Sequence, residues 1–235
     1  MPVPLSNRLQ LCADLVPSDA RVADIGTDHG YLSIWLLQTG RAAYCAACDL
    51  RAGPLANAKG NAARAQVDKQ MTFYLCDGLR DVPPESIDTV ICAGMGGDLI
   101  VKILSEAPWL KDSRYTLILQ PQTDIHKLRR WLQENGFREE AADLTRDNGF
   151  LYCAIRVRFG AAPKLSAGQE YVSPVLEASG SPLLGAYIAF HIATLRRITN
   201  GIQMADTAHD PERLRQCMAA LRELEEMEEH YVNCS

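Results

Sequence analysis

Four short segments of this 235-residue chain carry acidic residues, glycines or both, residue types suited to holding a nucleoside. The first is Asp24-Ile25-Gly26-Thr27-Asp28-His29-Gly30, between an apolar run and a helical pattern that begins near Tyr31. A glycine-bearing turn lets a ligand approach the backbone closely, and the helix start offers N–H groups to a carboxylate or phosphate. Asp24, Gly26, Thr27, Asp28 and Gly30 are therefore cofactor candidates. The second segment ends in Asp49, 23 residues after Gly26, with Leu50 beside it. A carboxylate there can accept both hydroxyls of a ribose. The third, Asp77-Gly78, suits an adenine amino group. In the fourth, Gly94-Met95-Gly96-Gly97, small residues leave room over a flat ligand.

Two cofactors contain both ribose and adenine: a nicotinamide dinucleotide and S-adenosylmethionine. The dinucleotide fingerprint is G-x-G-x-x-G. Here Gly26 and Gly30 are separated by three residues, and Asp28 stands where the middle glycine belongs. A carboxylate repels a pyrophosphate but sits comfortably beside a cationic sulfonium. The charge argument selects S-adenosylmethionine. No metal site is expected: Cys45 and Cys48 form the only C-x-x-C, with no second pair or nearby histidine to complete a zinc set. A three-residue offset along a strand also sends their side chains to opposite faces.

These tips must be positioned by alternating strands and helices. Strands are predicted at Arg21-Gly26, Ala43-Asp49, Met71-Cys76, Thr89-Ala93, Thr116-Gln120, Phe137-Ala142 and Leu151-Phe159. Helices are predicted at Tyr31-Thr39, Pro54-Ala65, Asp98-Ser105 and Ile125-Asn135. The alternation implies an α/β fold with a mostly parallel sheet covered on both faces. The last two strands have no helix between them and read as an antiparallel hairpin through Thr145-Gly149. Seven strands closing with an antiparallel partner suggest a methyltransferase-type variant of the doubly wound, Rossmann-like sheet over residues 1–160.

Residues 161–182 are rich in Gly, Ala, Pro and Ser and read as a linker. In residues 183–235 two apolar stripes follow, Leu184, Ile188, His191, Leu195, Ile198 and Ile202, then Leu214, Met218, Leu221, Leu224, Met227 and Tyr231. Asp210 and Pro211 suit the start of the second helix. The pattern predicts an antiparallel helical hairpin packed as a short coiled coil, serving either as a substrate-gripping arm or as a structural, dimerising appendage.

Composition narrows the function classes. The apolar fraction is 47%, and no apolar run approaches the roughly 18 residues a membrane helix needs. The chain begins without a basic segment followed by an apolar one, so no secretory signal is expected. Eight cysteines, mostly isolated, fit reduced thiols in a cytoplasmic core. The net charge is -5, so any nucleic-acid site must be a local patch.

The strings Leu5-Ser6-Asn7-Arg8-Leu9, Asp24 through Leu32, Asp77-Gly78-Leu79, Ala93-Gly94-Met95-Gly96-Gly97 and Leu117-Ile118-Leu119-Gln120-Pro121 together carry a resemblance. The sequence resembles the bacterial tRNA (adenine-22-N1)-methyltransferases, the TrmK-like group, most clearly over residues 5–155. The resemblance implies a class I methyltransferase fold, S-adenosylmethionine as donor, tRNA as substrate and a C-terminal helical coiled-coil domain. Gln122 stands where the family usually has Asn, and Gly30 where it usually has Ala.

N1 of a neutral adenine already has a lone pair, so the task is to align it with the methyl group and exclude water. Asp28 is the candidate for stabilising charge that develops on the ring, or else for holding the donor's amino group. His29 is its orienting partner or proton shuttle, or a helix-start residue. Gln120 and Gln122 suit the edge of a flipped-out base, with Pro121 stiffening their turn. Arg8, expected just ahead of the first helix, suits a phosphate or the target base. Lys127, Arg129 and Arg130, together with Arg196 and Arg197, are the tRNA-phosphate candidates; a solvated helix face is the alternative for the first three. Competing functions are methylation of another RNA or of a small molecule, RNA binding without catalysis, and nicotinamide-dependent redox chemistry. No membrane and no obligate protein partner are expected.

Overall fold

The computed structural model describes residues 2–204 and 211–234. One sheet holds seven strands: β1 (Ala20–Ile25), β2 (Ala42–Asp49), β3 (Met71–Leu75), β4 (Thr89–Gly96), β5 (Thr116–Thr123), β6 (Phe137–Asp147) and β7 (Phe150–Phe159). Their spatial order is β3-β2-β1-β4-β5-β7-β6. β1 to β5 pair in parallel, and β7 runs antiparallel to both β5 and β6. The chain order reverses between β1 and β4, which opens a crevice at their carboxyl ends.

The parallel strands are buried on both faces, so they read as apolar runs rather than alternating ones. Two clusters form, one per face. Val22, Ile34, Leu36, Ile91 and Ile118 belong to the face covered by α1 (Asn7–Leu15) and α2 (Tyr31–Gln38). Ile100, Leu117, Leu128 and Ile155 belong to the other, under α4 (Gly97–Ser105) and α5 (Ile125–Glu134). α3 (Ala52–Arg64) follows β2. Cys45 and Cys48 fall in different clusters, as the strand offset requires.

The structure adds elements that the pattern missed. Arg8 does not precede the first helix but lies inside it, because α1 starts at Asn7 with Ser6 as its cap; the Ser6 hydroxyl accepts from Leu9 N. β6 runs five residues past its predicted end, since Asp143, Thr145 and Asp147 alternate with Leu144 and pair with β7.

The segment 161–182 is not a free spacer. It carries the short helix α6 (Pro174–Glu177) and buries Glu170, Val172, Ser173 and Leu176. After the exposed stretch 177–180, burial resumes in α7 (Leu184–Met204), through Tyr187, Ile188, Ile192 and Leu195. α7 thus packs on the sheet domain as well as on α8 (Pro211–Cys234), whose Ala220 and Leu224 are buried. Asp210, the expected cap of α8, lies outside the described residues.

Candidate active site at the carboxyl edge of the sheet

The turn after β1 needs three left-handed residues: Gly26 at φ 69°, Asp28 at φ 51° and Gly30 at φ 75°. Glycine adopts this region freely, and Asp tolerates it through its short polar side chain. The turn is braced from below. The Asp24 carboxylate, 4% exposed, accepts the hydroxyls of Thr27 and Ser33, both at 2.8 Å. Burial pushes the Asp24 carboxyl above its usual range, and those two hydroxyls pull it part of the way back. Asp24 and Thr27 therefore shape the turn from inside instead of presenting their polar atoms to a ligand. Helix α2 starts at Gly30 without a side-chain cap, so geometry leaves its first N–H groups available to a carboxylate.

Asp49 ties this turn to the next strand tip. One of its oxygens accepts Asp28 N at 3.2 Å and the other accepts Arg51 N at 2.9 Å. A carboxylate has about four acceptor sites, so two remain for a pair of hydroxyls. Leu50 beside it is exposed. At the neighbouring tip Asp77 is partly exposed and receives Lys102 Nζ at 3.1 Å. Gly78 follows it at φ 63°.

At the tips of β4 and β5 the deciding residue is Gln120. It is fully buried. Its Oε1 accepts Arg8 Nη1 at 2.9 Å and Gly94 N at 3.0 Å, and its Nε2 donates to Pro121 O at 3.0 Å. Gln120 is thus a strut between α1, the β4 tip and its own strand, and it is withdrawn from any base edge. Gln122, two residues on, is exposed. A Cβ at Gly94 would lie 2.9 Å from Arg8 Nη1, and one at Gly26 would lie 2.5 Å from Met95 Cε. Those two glycines leave room for the Met95 and Arg8 side chains to lie against the backbone at the base of the crevice.

Arg8 reaches this strut from the other side of the site. Its backbone N donates to Asp147 Oδ2 at 3.3 Å, and its guanidinium stands 5.9 Å from the Tyr152 ring centroid. The β6–β7 turn therefore holds the start of α1, a link that no local sequence signal announced. Asp28 and His29 are both exposed at the mouth, with His29 Nε2 3.8 Å from Asp28 Oδ2.

The expected tRNA-binding set does not come together as one patch. Arg129 is corrected: its side chain is 1% exposed, sits 2.9 Å from Glu139, and donates to the carbonyls of Glu170 and Tyr171. It lies four residues after Ile125 and three before Leu132, which is the buried face of α5. Arg130 is half-buried against Glu170, and Lys127 lies between Asp98 and Asp124. Arg196 pairs with Glu225 across the hairpin, while Arg197 is exposed. No cluster of three or more metal-ligating side chains occurs among the described residues.

The acceptor at Asp49, the left-handed turn from Gly26 to Gly30 and the uncapped start of α2 fit S-adenosylmethionine. The family of methyltransferase domains matches residues 5–155. The chain belongs to the methyltransferase-domain family. Over 96% of its length it is 27% identical to the tRNA (adenine(22)-N(1))-methyltransferase of Bacillus subtilis, of which it spans 98%. It superposes on the crystal structure of the B. subtilis m1A22 tRNA methyltransferase TrmK with a TM-score of 0.83 at 25% identity, covering 96% of this chain and 99% of that one. A putative tRNA (m1A22) methyltransferase of Streptococcus pneumoniae, solved in complex with S-adenosyl-L-methionine, matches at 28% identity and a TM-score of 0.78, covering 96% of this chain and all of the other. The methyltransferase is TrmK-like in fold from end to end, helical hairpin included.

Proposed function

We propose that this methyltransferase transfers a methyl group from S-adenosylmethionine to N1 of an adenine in tRNA, at position 22. What supports the reading is the Asp49 carboxylate, which accepts Asp28 N and keeps free acceptor sites at the turn that supplies the cofactor floor. End-to-end similarity to the B. subtilis enzyme supplies the substrate class. Asp49 takes the ribose hydroxyls, Asp77 the adenine amino group, and the turn from Gly26 to Gly30 the amino-acid portion, with Gly94, Met95 and Gly96 along the ring.

The bound donor supplies an electrophilic methyl group, and the chain's own residues do the rest. Asp28, held in its left-handed conformation, offers a carboxylate to the N6 amino group of the target. That placement favours the positive charge that develops on the ring as N1 is alkylated. His29 orients Asp28 or takes the proton that N6 later loses. The exposed Gln122 amide reaches the base edge, and Pro121 stiffens its support. Arg8 and the Gln120 strut fix the wall against which the base stacks. The cytoplasm is the compartment proposed: the substrate is tRNA, the buried cysteines Cys12, Cys45, Cys48, Cys76, Cys92 and Cys153 form no disulfide, and no described helix is long and apolar enough to cross a membrane. The catalytic unit is residues 1–160, joined through 161–182 to the hairpin of 183–235.

Asp28→Asn tests the catalytic assignment. It removes the charge while keeping the shape of the turn. Donor affinity by calorimetry should stay near that of the unsubstituted chain, while turnover at saturating tRNA falls. Weakened donor binding with unchanged turnover would assign Asp28 to the cofactor instead.

A further inference from the structure

On the outer strands, away from the strand tips of the crevice, three arginines share one carboxylate. Along β7 the residues Cys153, Ile155 and Val157 face one apolar cluster. Tyr152, Ala154, Arg156 and Arg158 alternate with them and face the side of the sheet that α1 covers. Arg138 on β6 is directly opposite Arg158 in register. Like charges directly opposite on an antiparallel pair destabilise it. A β-bulge between Glu139 and Ala141 inserts Glu140, which stands among all three arginines.

One carboxylate does not satisfy three guanidiniums. Glu140 Oε1 takes Arg138 Nη2 at 3.0 Å, but Arg156 Nε and Arg158 Nε remain at 3.9 and 3.8 Å from Oε2. Both Nε atoms are buried and lack a hydrogen-bond partner, while Arg158 Nη2 finds Thr116 Oγ1 at 3.0 Å. Unsatisfied buried donors are costly, and an arginine fork matches the oxygens of a phosphate. The side chains of Arg138, Arg156 and Arg158 still keep 47%, 33% and 36% of their surface exposed, so an anion can approach. The nearest acidic side chain further along β6, Asp143, turns to Leu144 N.

We propose that Arg138, Arg156 and Arg158 form a phosphate-binding patch for the tRNA backbone, separate from the methyl-transfer site. From Tyr152, which faces Arg8 at the mouth, Arg156 is four residues and Arg158 six residues along one strand face. At ~3.3 Å per residue those are about 13 and 20 Å. A tRNA whose target base enters the crevice can lay a neighbouring stretch of backbone over this face. Such contacts set register and orientation and read no sequence. The inference rests on tRNA being the substrate.

The test is direct tRNA binding by the full chain, measured by fluorescence anisotropy over a salt series. Arg156→Gln and Arg158→Gln should each weaken binding on the order of tenfold. Each should also flatten the slope of log affinity against log salt by about 0.7–0.9. Donor affinity, read by calorimetry, reports whether the fold is intact. Glu140→Gln should tighten tRNA binding, because the competing carboxylate is gone. A merely structural ion cluster gives the opposite sign or no change. Arg156→Lys keeps the charge and should hold the salt slope, which serves if a glutamine variant fails to fold. Affinities within twofold of the unsubstituted chain with unchanged slopes overturn the patch, as does weakened binding in Glu140→Gln. A chain that shows the arginine dependence yet transfers no methyl group to tRNA would leave the patch standing and sink the proposed activity. A chain that binds no tRNA sinks both.

Discussion

Replacing Gln120 by Met separates the strut from the reactive face. Met approximates the glutamine volume and removes every polar atom. Two backbone groups, Gly94 N–H and Pro121 C=O, then lose their partners inside the protein, and Arg8 loses its anchor. Each buried group left unpaired costs about 1–3 kcal/mol, and Arg8 recovers part of its loss from water. The expected destabilisation is about 2–4 kcal/mol. For a chain of this size that lowers Tm by roughly 4–16 °C. Donor affinity should fall as well, because the Gly94 turn forms part of the cofactor floor. Gln122→Met is the matched control: Gln122 is exposed, so its stability should change by no more than the ~0.5 kcal/mol typical of a surface site, about 1–2 °C in Tm. Calorimetric melting and donor titration of the two variants side by side make the assay. A Gln120→Met protein whose Tm falls by less than about 2 °C, half the smallest shift expected, and that binds the donor normally would refute the strut.

Three further outcomes follow from the same structure. Asp49→Ala should weaken S-adenosylmethionine binding by about 1–3 kcal/mol in calorimetry, since a charged acceptor leaves the ribose site; NAD should not bind either protein. Arg129→Met should cost about 3–5 kcal/mol in denaturant unfolding, because it leaves the Glu139 carboxylate, 10% exposed, without its ion pair; adding Glu139→Met should restore most of the loss. His191 is buried among Tyr171, Tyr187 and Phe190, and burial lowers its pKa from 6.5 to about 3. The fold keeps it neutral while the unfolded chain protonates it below pH 6.5, so its share of stability is full above that value and lost as pH falls toward 3. His191→Phe should therefore flatten the pH dependence of unfolding in that window, by up to about 1.4 kcal/mol per pH unit relative to the unsubstituted chain.

The parallel core was legible because its strands are apolar runs and its helices are periodic, and both signals are local. The strand-tip residues were legible for the same reason: Asp49 and the turn at Gly26 each terminate such a run. Other features depend on contacts distant in sequence. Segment 161–182 reads as a linker by composition, yet its backbone carbonyls at Glu170 and Tyr171 receive Arg129, about 40 residues away. Arg129 itself carried a readable sign, its place between Ile125 and Leu132 on the apolar face of α5, which the adjacent Lys127 and Arg130 masked. Helix α1 is short and has little periodicity to set its bounds, and its start falls ahead of Arg8 because Ser6 caps it. The role of Gln120 was read one step too far forward. Its amide points inward to Gly94 and Arg8, and only a neighbour's backbone could have revealed that. The arginines of β6 and β7 lie on alternate positions of two strands, and no sequence window brings them together.

Nucleoside mass spectrometry reads methyl transfer to N1 of adenine 22 without an intermediary. tRNA with adenine at position 22 is incubated with the protein and S-adenosylmethionine, then digested and resolved. The expected product is 1-methyladenosine, absent without protein and absent from a tRNA whose position 22 carries guanine. Methylation at another atom or another position, or tRNA recovered without added methyl groups while the donor binds normally, would contradict it.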